Sequence, residues 1–128
     1  MKSTEDSRLT QLTAICLALP ESSRTDQGSH AAFTVRKKTF AYFLNDHHGD
    51  GIVSVCAKAL RGENNALVAA HPRKFYLPAY IGSKGWLGLR VDRGKIDWGE
   101  VRDLVTASYL QVAPRRLAGQ VEAIMRQL

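Results

Sequence analysis

"AAFTVRKKTFAYFL", residues 31–44, decides the fold. Ala31, Phe33 and Val35 alternate with polar or small residues, and Phe40, Tyr42 and Leu44 do so again. A period of two is the pattern of β-strands, and "RKKT" between the runs supplies the turn of a hairpin. Strict alternation leaves Phe43 on the face opposite its apolar neighbours, so the second strand is either covered on both sides or ends there. Downstream, "DHHGDG" (46–51) has the composition of a turn and "IVSVCA" (52–57) that of a third strand. Upstream, Leu9, Leu12, Ile15, Cys16 and Leu19 recur at spacings of three and four, which predicts an amphipathic helix from Thr4 to Leu19, stopped by Pro20. The polar run "ESSRTDQGS" (21–29) then reads as a connector.

The second half keeps both periods. "LRGENNALVAAH" (60–71) predicts a short helix that ends at His71, before Pro72. "PRKFYLPAYIGSKGW" (72–86) holds two prolines and two glycines, which preclude a regular element across it. Its Phe75, Tyr76, Tyr80 and Ile81 are too apolar for a free loop, so an ordered strap packed on the fold is expected. In "WLGLRV" (86–91), Leu87, Leu89 and Val91 share one face, and Trp86, Gly88 and Arg90 share the other, which is expected to be exposed or ligand-facing. "DRGK" (92–95) is a turn in which Gly94 can take positive φ. Asp97 with Glu100 matches an N-terminal capping box, and Val101, Leu104 and Val105 continue a helix. Pro114 opens a last helix, striped by Leu117, Val121, Ile124 and Leu128. This order predicts an α+β fold: a two-layer sandwich with an antiparallel sheet of about five strands and helices on one face, in one domain over residues 1–128.

Composition narrows the function classes. Hydrophobic residues at 45% and charged residues at 23% suit a soluble globular chain. The longest apolar runs are a few residues, so no membrane span is expected, and the acids in "MKSTEDSRLTQL" do not fit a signal peptide. A cytoplasmic location follows as the expectation. Cys16 and Cys56 each stand in an apolar run without a second thiol or histidine nearby, which suits buried side chains better than a disulfide or a metal. The net charge is +6. Six Lys/Arg (Arg73, Lys74, Lys84, Arg90, Arg93, Lys95) face one acid, Asp92, between residues 73 and 95, and Arg36, Lys37 and Lys38 run uninterrupted. From residue 97 onward the charges balance. A basic middle favours encounters with polyanions.

"HPRKFYLPAY", "KGW", "DW", "SY" and "APRRL", in this order, together with the opening "ALPESSRTDQGSHAAFTVRKKTFA", resemble the MmcQ/YjbR family of small bacterial proteins. The resemblance covers nearly the whole chain. It implies a fold with helices against an antiparallel sheet, similar to the type III secretion chaperone fold and described as a double wing. It also implies a DNA-binding label that leans on that shape. The family pattern falls on His71, Pro72, Pro78, Lys84, Trp86, Ser108 and Tyr109; no catalytic assignment transfers to them.

The candidate nucleic-acid residues are Lys37, Lys38, Arg73, Lys74, Lys84, Arg90, Arg93 and Lys95 for phosphates, with Trp86 as a stacking group. If the basic tips "RKKT" and "DRGK" project from one edge of the sheet, they can straddle a duplex as two wings. Large aromatics are highly buried on average, so for Trp86 and Trp98 taken alone a place in the core is the favoured reading. The alternative function is a protein-interaction or small-ligand module that uses the groove beside the strap, at Tyr76, Tyr80 and Ile81. His47 and His48, between Asp46 and Asp50, could hold a divalent metal, but adjacent loop residues rarely converge and a surface turn is expected. His30 and His71 are singletons, and His71 is expected at the helix end. Ser108 and Tyr109 lie on an apolar helix face, where their hydroxyls are expected to bond to backbone or strap. "GSKG" is too short for a phosphate loop and precedes a strand. No catalytic constellation is readable, so a non-enzymatic protein without cofactor or metal is expected, monomeric or weakly dimeric, with DNA or a protein as partner.

Overall fold

The computed structural model describes residues 5–127. In chain order the elements are α1 (Ser7–Leu17), β1 (Ser22–Gln27), β2 (His30–Val35), β3 (Lys38–Asn45), β4 (Val53–Lys58), α2 (Glu63–Ala70), β5 (Phe75–Tyr76), β6 (Trp86–Arg90), α3 (Trp98–Val112) and α4 (Arg115–Arg126). The strands form one antiparallel sheet in the order β1-β2-β3-β4-β6-β5. Its inner face, with Phe33, Val35, Phe43, Val55, Leu87 and Leu89, packs on Leu12 and Cys16 of α1, Val101, Val105 and Tyr109 of α3, and Leu117 and Val121 of α4. This is the predicted α+β layering, with six strands in place of about five.

The additional strand is β1, which lies where a polar connector is expected. Its sequence, SSRTDQ, carries no apolar alternation because it is an edge strand and mostly exposed. Side-chain bonding takes the place of burial: Ser23 Oγ lies 3.0 Å from Thr34 Oγ1 on β2, and Arg24 pairs with Asp26 of its own strand and with Glu5 while donating to Thr13 Oγ1 of α1. At the opposite edge β5 is two residues long, a fragment of strand inside the strap.

The hairpin of residues 30–45 forms, and a β-bulge corrects its facing. Phe33 pairs with Ala41 but Thr34 with Thr39, so Phe40 is the extra residue. Phe40 and Ala41 therefore both turn to the helices, Phe43 joins them, and Tyr42 and Leu44 fall half-buried on the other face. Phe40, moved inward, meets Tyr109 edge-on with ring centroids 5.3 Å apart. The turn itself is Arg36-Lys37, both at positive φ (49° and 68°), a conformation that favours Asn-Gly.

Other boundaries follow local chemistry. Asp6 caps α1, and Asp97 Oδ1 accepts the Glu100 N–H at 3.2 Å to cap α3. Pro114 stands at the N-cap of α4 and His71 at the C-cap of α2. Thr4 and Leu128, at the ends of the predicted first and last helices, lie outside the described residues. No described helix is long and apolar enough to cross a membrane.

Candidate nucleic-acid interface

Strand register places the predicted cations. Lys58 of β4 pairs with Trp86 of β6, and Ser54 with Arg90. Since Ala41 pairs with Ala57, the "RKKT" tip lies at the end of the sheet where β6 begins, and "DRGK" follows the end where β6 finishes. The two tips therefore project from opposite ends of the strands. The condition for a pair of wings straddling one duplex is not met, because β3 and β6 are joined through β4 and run parallel to each other.

Five of the candidate residues do come together. Arg73, Lys74, Arg90, Arg93 and Lys95 line one cleft of about 600 Å3, floored by Leu89 and Ile96. Two stretches of chain supply them: residues 73–74 on the approach to β5, and residues 90–95 at the end of β6 and in the turn that follows it. The Arg90 N–H donates to the Lys74 carbonyl at 2.9 Å, which fixes the two backbones together. Two of the five cations are answered from within the chain. Arg90 makes a bidentate pair with Asp92 (Nε to Oδ1 3.1 Å, Nη2 to Oδ2 2.8 Å), and this bonding holds the Asp92 carboxyl below its usual range. Lys74 Nζ lies 2.7 Å from Glu100 Oε1, at an angle outside hydrogen bonding, so that buried oxygen has a charge partner but no aligned donor among the described residues. Arg73, Arg93 and Lys95 have no carboxylate partner among the described residues.

Lys37, Lys38 and Lys84 belong to the opposite end, with Lys37 and Lys38 exposed at the hairpin and Lys84 exposed in a short 3-10 turn, Gly82–Lys84. Arg36, their neighbour, is turned aside to Glu21, which also receives Arg116. Sequence reading missed two further cations there, Lys58 and Arg61, which line a second cleft together with Lys84. The signal was present in "CAKALRG", one residue past an apolar strand and again before a glycine, but neither lies in a charge cluster along the chain.

Trp86 is buried, with 8% of its surface exposed, and stacks at a tilt on Tyr42 (centroids 5.2 Å apart). It sits on the sheet face away from the helices. That face of β6 is covered rather than open: the Tyr76 ring lies on Gly88, where a Cβ would overlap Tyr76 Cε1. Tyr76 Oη reaches Ser54 Oγ at 2.7 Å and Cys56 Sγ at 4.0 Å. Burial pushes the Cys56 thiol up to about 11, against slight lowering by its contacts with Ser54 and Tyr76. The groove beside the strap is thus sealed at Tyr76 and Ile81 is half-buried, whereas Tyr80, at φ 69°, is 81% exposed and touches the His48 ring edge-on.

The remaining polar candidates have structural partners. The Ser108 hydroxyl donates to the Phe40 carbonyl (2.7 Å) and accepts the Lys58 N–H (2.9 Å), and Tyr109 Oη donates to the Pro20 carbonyl (2.7 Å). His30 Nδ1 accepts the Asn45 N–H, while Asp46 and Asp50 accept the N–H groups of Gly51 and Ile52, closing the turn that carries His47 and His48. Among the described residues no group of three or more His, Cys, Asp or Glu is placed to hold a metal.

A family model described as YjbR matches residues 17–111. No curated protein sequence matches the chain. Among solved structures, the crystal structure of Deinococcus radiodurans protein DR2400, assigned to the domain family DUF419, is similar with a TM-score of 0.68 at 20% identity, covering 89% of this chain and 87% of that one. At that identity the likeness concerns the fold.

Proposed function

The chain belongs to the YjbR family, and from that membership and the gathering of its cations we propose that it is a non-enzymatic DNA-associated protein that holds phosphates in the cleft of Arg73, Lys74, Arg90, Arg93 and Lys95. The observation that carries this reading is the convergence of five cations from two stretches of chain, residues 73–74 and 90–95, on one concavity, with three of them lacking any internal counter-ion among the described residues. Phosphates replace condensed counter-ions, so binding of this kind is driven by ion release and is largely blind to sequence. Asp92 and Glu100 act as internal substitutes for the anion, holding Arg90 and Lys74 in place until phosphate oxygens compete for them. Trp86, being buried, is left out of the interface; contact is with the backbone of the nucleic acid and not with its bases.

The test is a fluorescence titration of labelled duplex across salt concentration. Contacts from three to five cations correspond to a slope of log affinity against log salt of about −3 to −4.5. Salt-insensitive binding, or no retention at low salt, removes the proposal.

A second reading, a protein-interaction module, is favoured by one observation: Tyr80, Leu77 and Leu60 expose large apolar surface around the strap. Tyr80→Ser would abolish partner binding in that case and leave duplex retention unchanged.

A further inference from the structure

At the end of the sheet away from the DNA cleft, Lys58, Arg61 and Lys84 line a second concavity of about 580 Å3 that contains no aspartate or glutamate in its wall. We propose that this cleft is a binding site for a small, multiply charged phosphate anion of the diphosphate class. The site is separate from the proposed DNA contact and stands whether or not DNA is bound.

Three features point to it. The first is charge without an internal answer. In the DNA cleft two cations are paired with carboxylates, whereas here none of the three has a carboxylate partner among the described residues. Three like charges facing one concavity repel one another, and an anion of two or more charges relieves that repulsion. Glu63, although it starts α2, does not line the cleft.

The second is a rigid wall. The Asn64 side chain is buried and fully used: Nδ2 donates to the carbonyls of Gly82 (2.9 Å) and Trp86 (3.1 Å), and Oδ1 accepts the Asn65 N–H. It locks the segment that carries Lys84 to the start of α2. The Ala59 N–H donates to the Gly85 carbonyl (2.9 Å), and Gln111 Nε2 of α3 donates to the Lys58 carbonyl (2.8 Å). The backbones bearing all three cations are thereby held in fixed relation, so little ordering is needed on binding.

The third is a wall with little side-chain bulk. Gly85 takes φ 94° and Gly62 φ 80°, turn conformations that L side chains rarely adopt, and Gly82 packs directly on Leu77. These glycines leave the walls free of side-chain bulk. The volume lies within the range of small-ligand sites.

The experiment is calorimetric titration of the full chain with inorganic pyrophosphate at low salt, repeated on Lys84→Gln, on Arg61→Gln, and on Arg93→Gln from the DNA cleft. Arg61 and Lys84 are exposed and make no side-chain bond among the described residues, so both variants are expected to keep the fold. The expected result is saturable one-site binding, weakened at least tenfold by Lys84→Gln and by Arg61→Gln and unchanged by Arg93→Gln. Absence of binding heat, or equal weakening by Arg93→Gln, overturns the site. Duplex retention measured on the same Lys84→Gln protein is expected to be unchanged, which separates failure here from failure of the DNA proposal.

Discussion

Gly88 shows how much one residue decides on the sheet face away from the helices. It is chosen for space and not for backbone angle, because the Tyr76 ring occupies the position of a side chain there. The ring in turn covers Ser54 and Cys56, and its hydroxyl is within hydrogen-bonding distance of Ser54 Oγ. Gly88→Ala must lift the ring, which strains a packed layer and breaks a hydrogen bond largely shielded from water. We expect a loss of about 2–4 kcal/mol, measured by urea unfolding. A loss below about 1 kcal/mol would mean the ring does not rest on Gly88. Burial of Cys56 adds a pH dependence. Its folded pKa is raised from 9.0 to about 11, so the stability it contributes is fully present below about 9 and is lost as pH rises through about 11. Unfolding midpoints should fall over that window, and Cys56→Ala should lessen the fall without removing it, because burial also raises Cys16, Tyr76 and Tyr109.

Among the elements, α3 is joined to the sheet by the bulge in β3. With Phe40 as the additional residue, its carbonyl and the Lys58 N–H do not meet as a ladder pair, and the Ser108 hydroxyl is inserted to serve both. Ser108→Ala leaves two backbone groups without partners, at a cost of about 2–4 kcal/mol. Hydrogen exchange gives the specific readout: the Lys58 amide should lose protection ahead of its neighbours, and unchanged protection would refute the role. Strands with an apolar period of two, the capped start of α3 and the proline-led α4 were legible from sequence, because burial and capping write themselves into local spacing. The bulge was not. Phe43 out of step with Phe40 was its only trace, and a single mismatch does not say which residue is the extra one. Nor was β1, whose support comes from the cross-strand and side-chain bonds of Ser23 and Arg24, not from apolar burial.

For the whole molecule, the decisive feature is that positive charge is divided between the two ends of the sheet. Sequence showed which residues are basic and that they cluster in the middle of the chain. It placed a strand at 86–91 inside the run from Arg73 to Lys95, but not which clefts the two ends of that strand reach, Lys84 in one and Arg90 in the other. Lys58 and Arg61 joined Lys84 only through the pairing of β4 with β6. The division predicts unequal effects on DNA. Arg93→Gln with Lys95→Gln should reduce the salt slope by about 2, while Lys37→Gln with Lys38→Gln should leave it unchanged. Equal reductions from the two double variants would show that the ends act as one surface.

Fibril growth requires a long, flat, apolar strand whose peptide groups stand free at a sheet margin. One margin of this sheet is polar, and its Arg24 is locked between Glu5 and Asp26 against α1; the other is two residues long. A second copy arriving at either side meets a polar six-residue strand or a two-residue one, neither of which combines the length and apolar character that stacking favours.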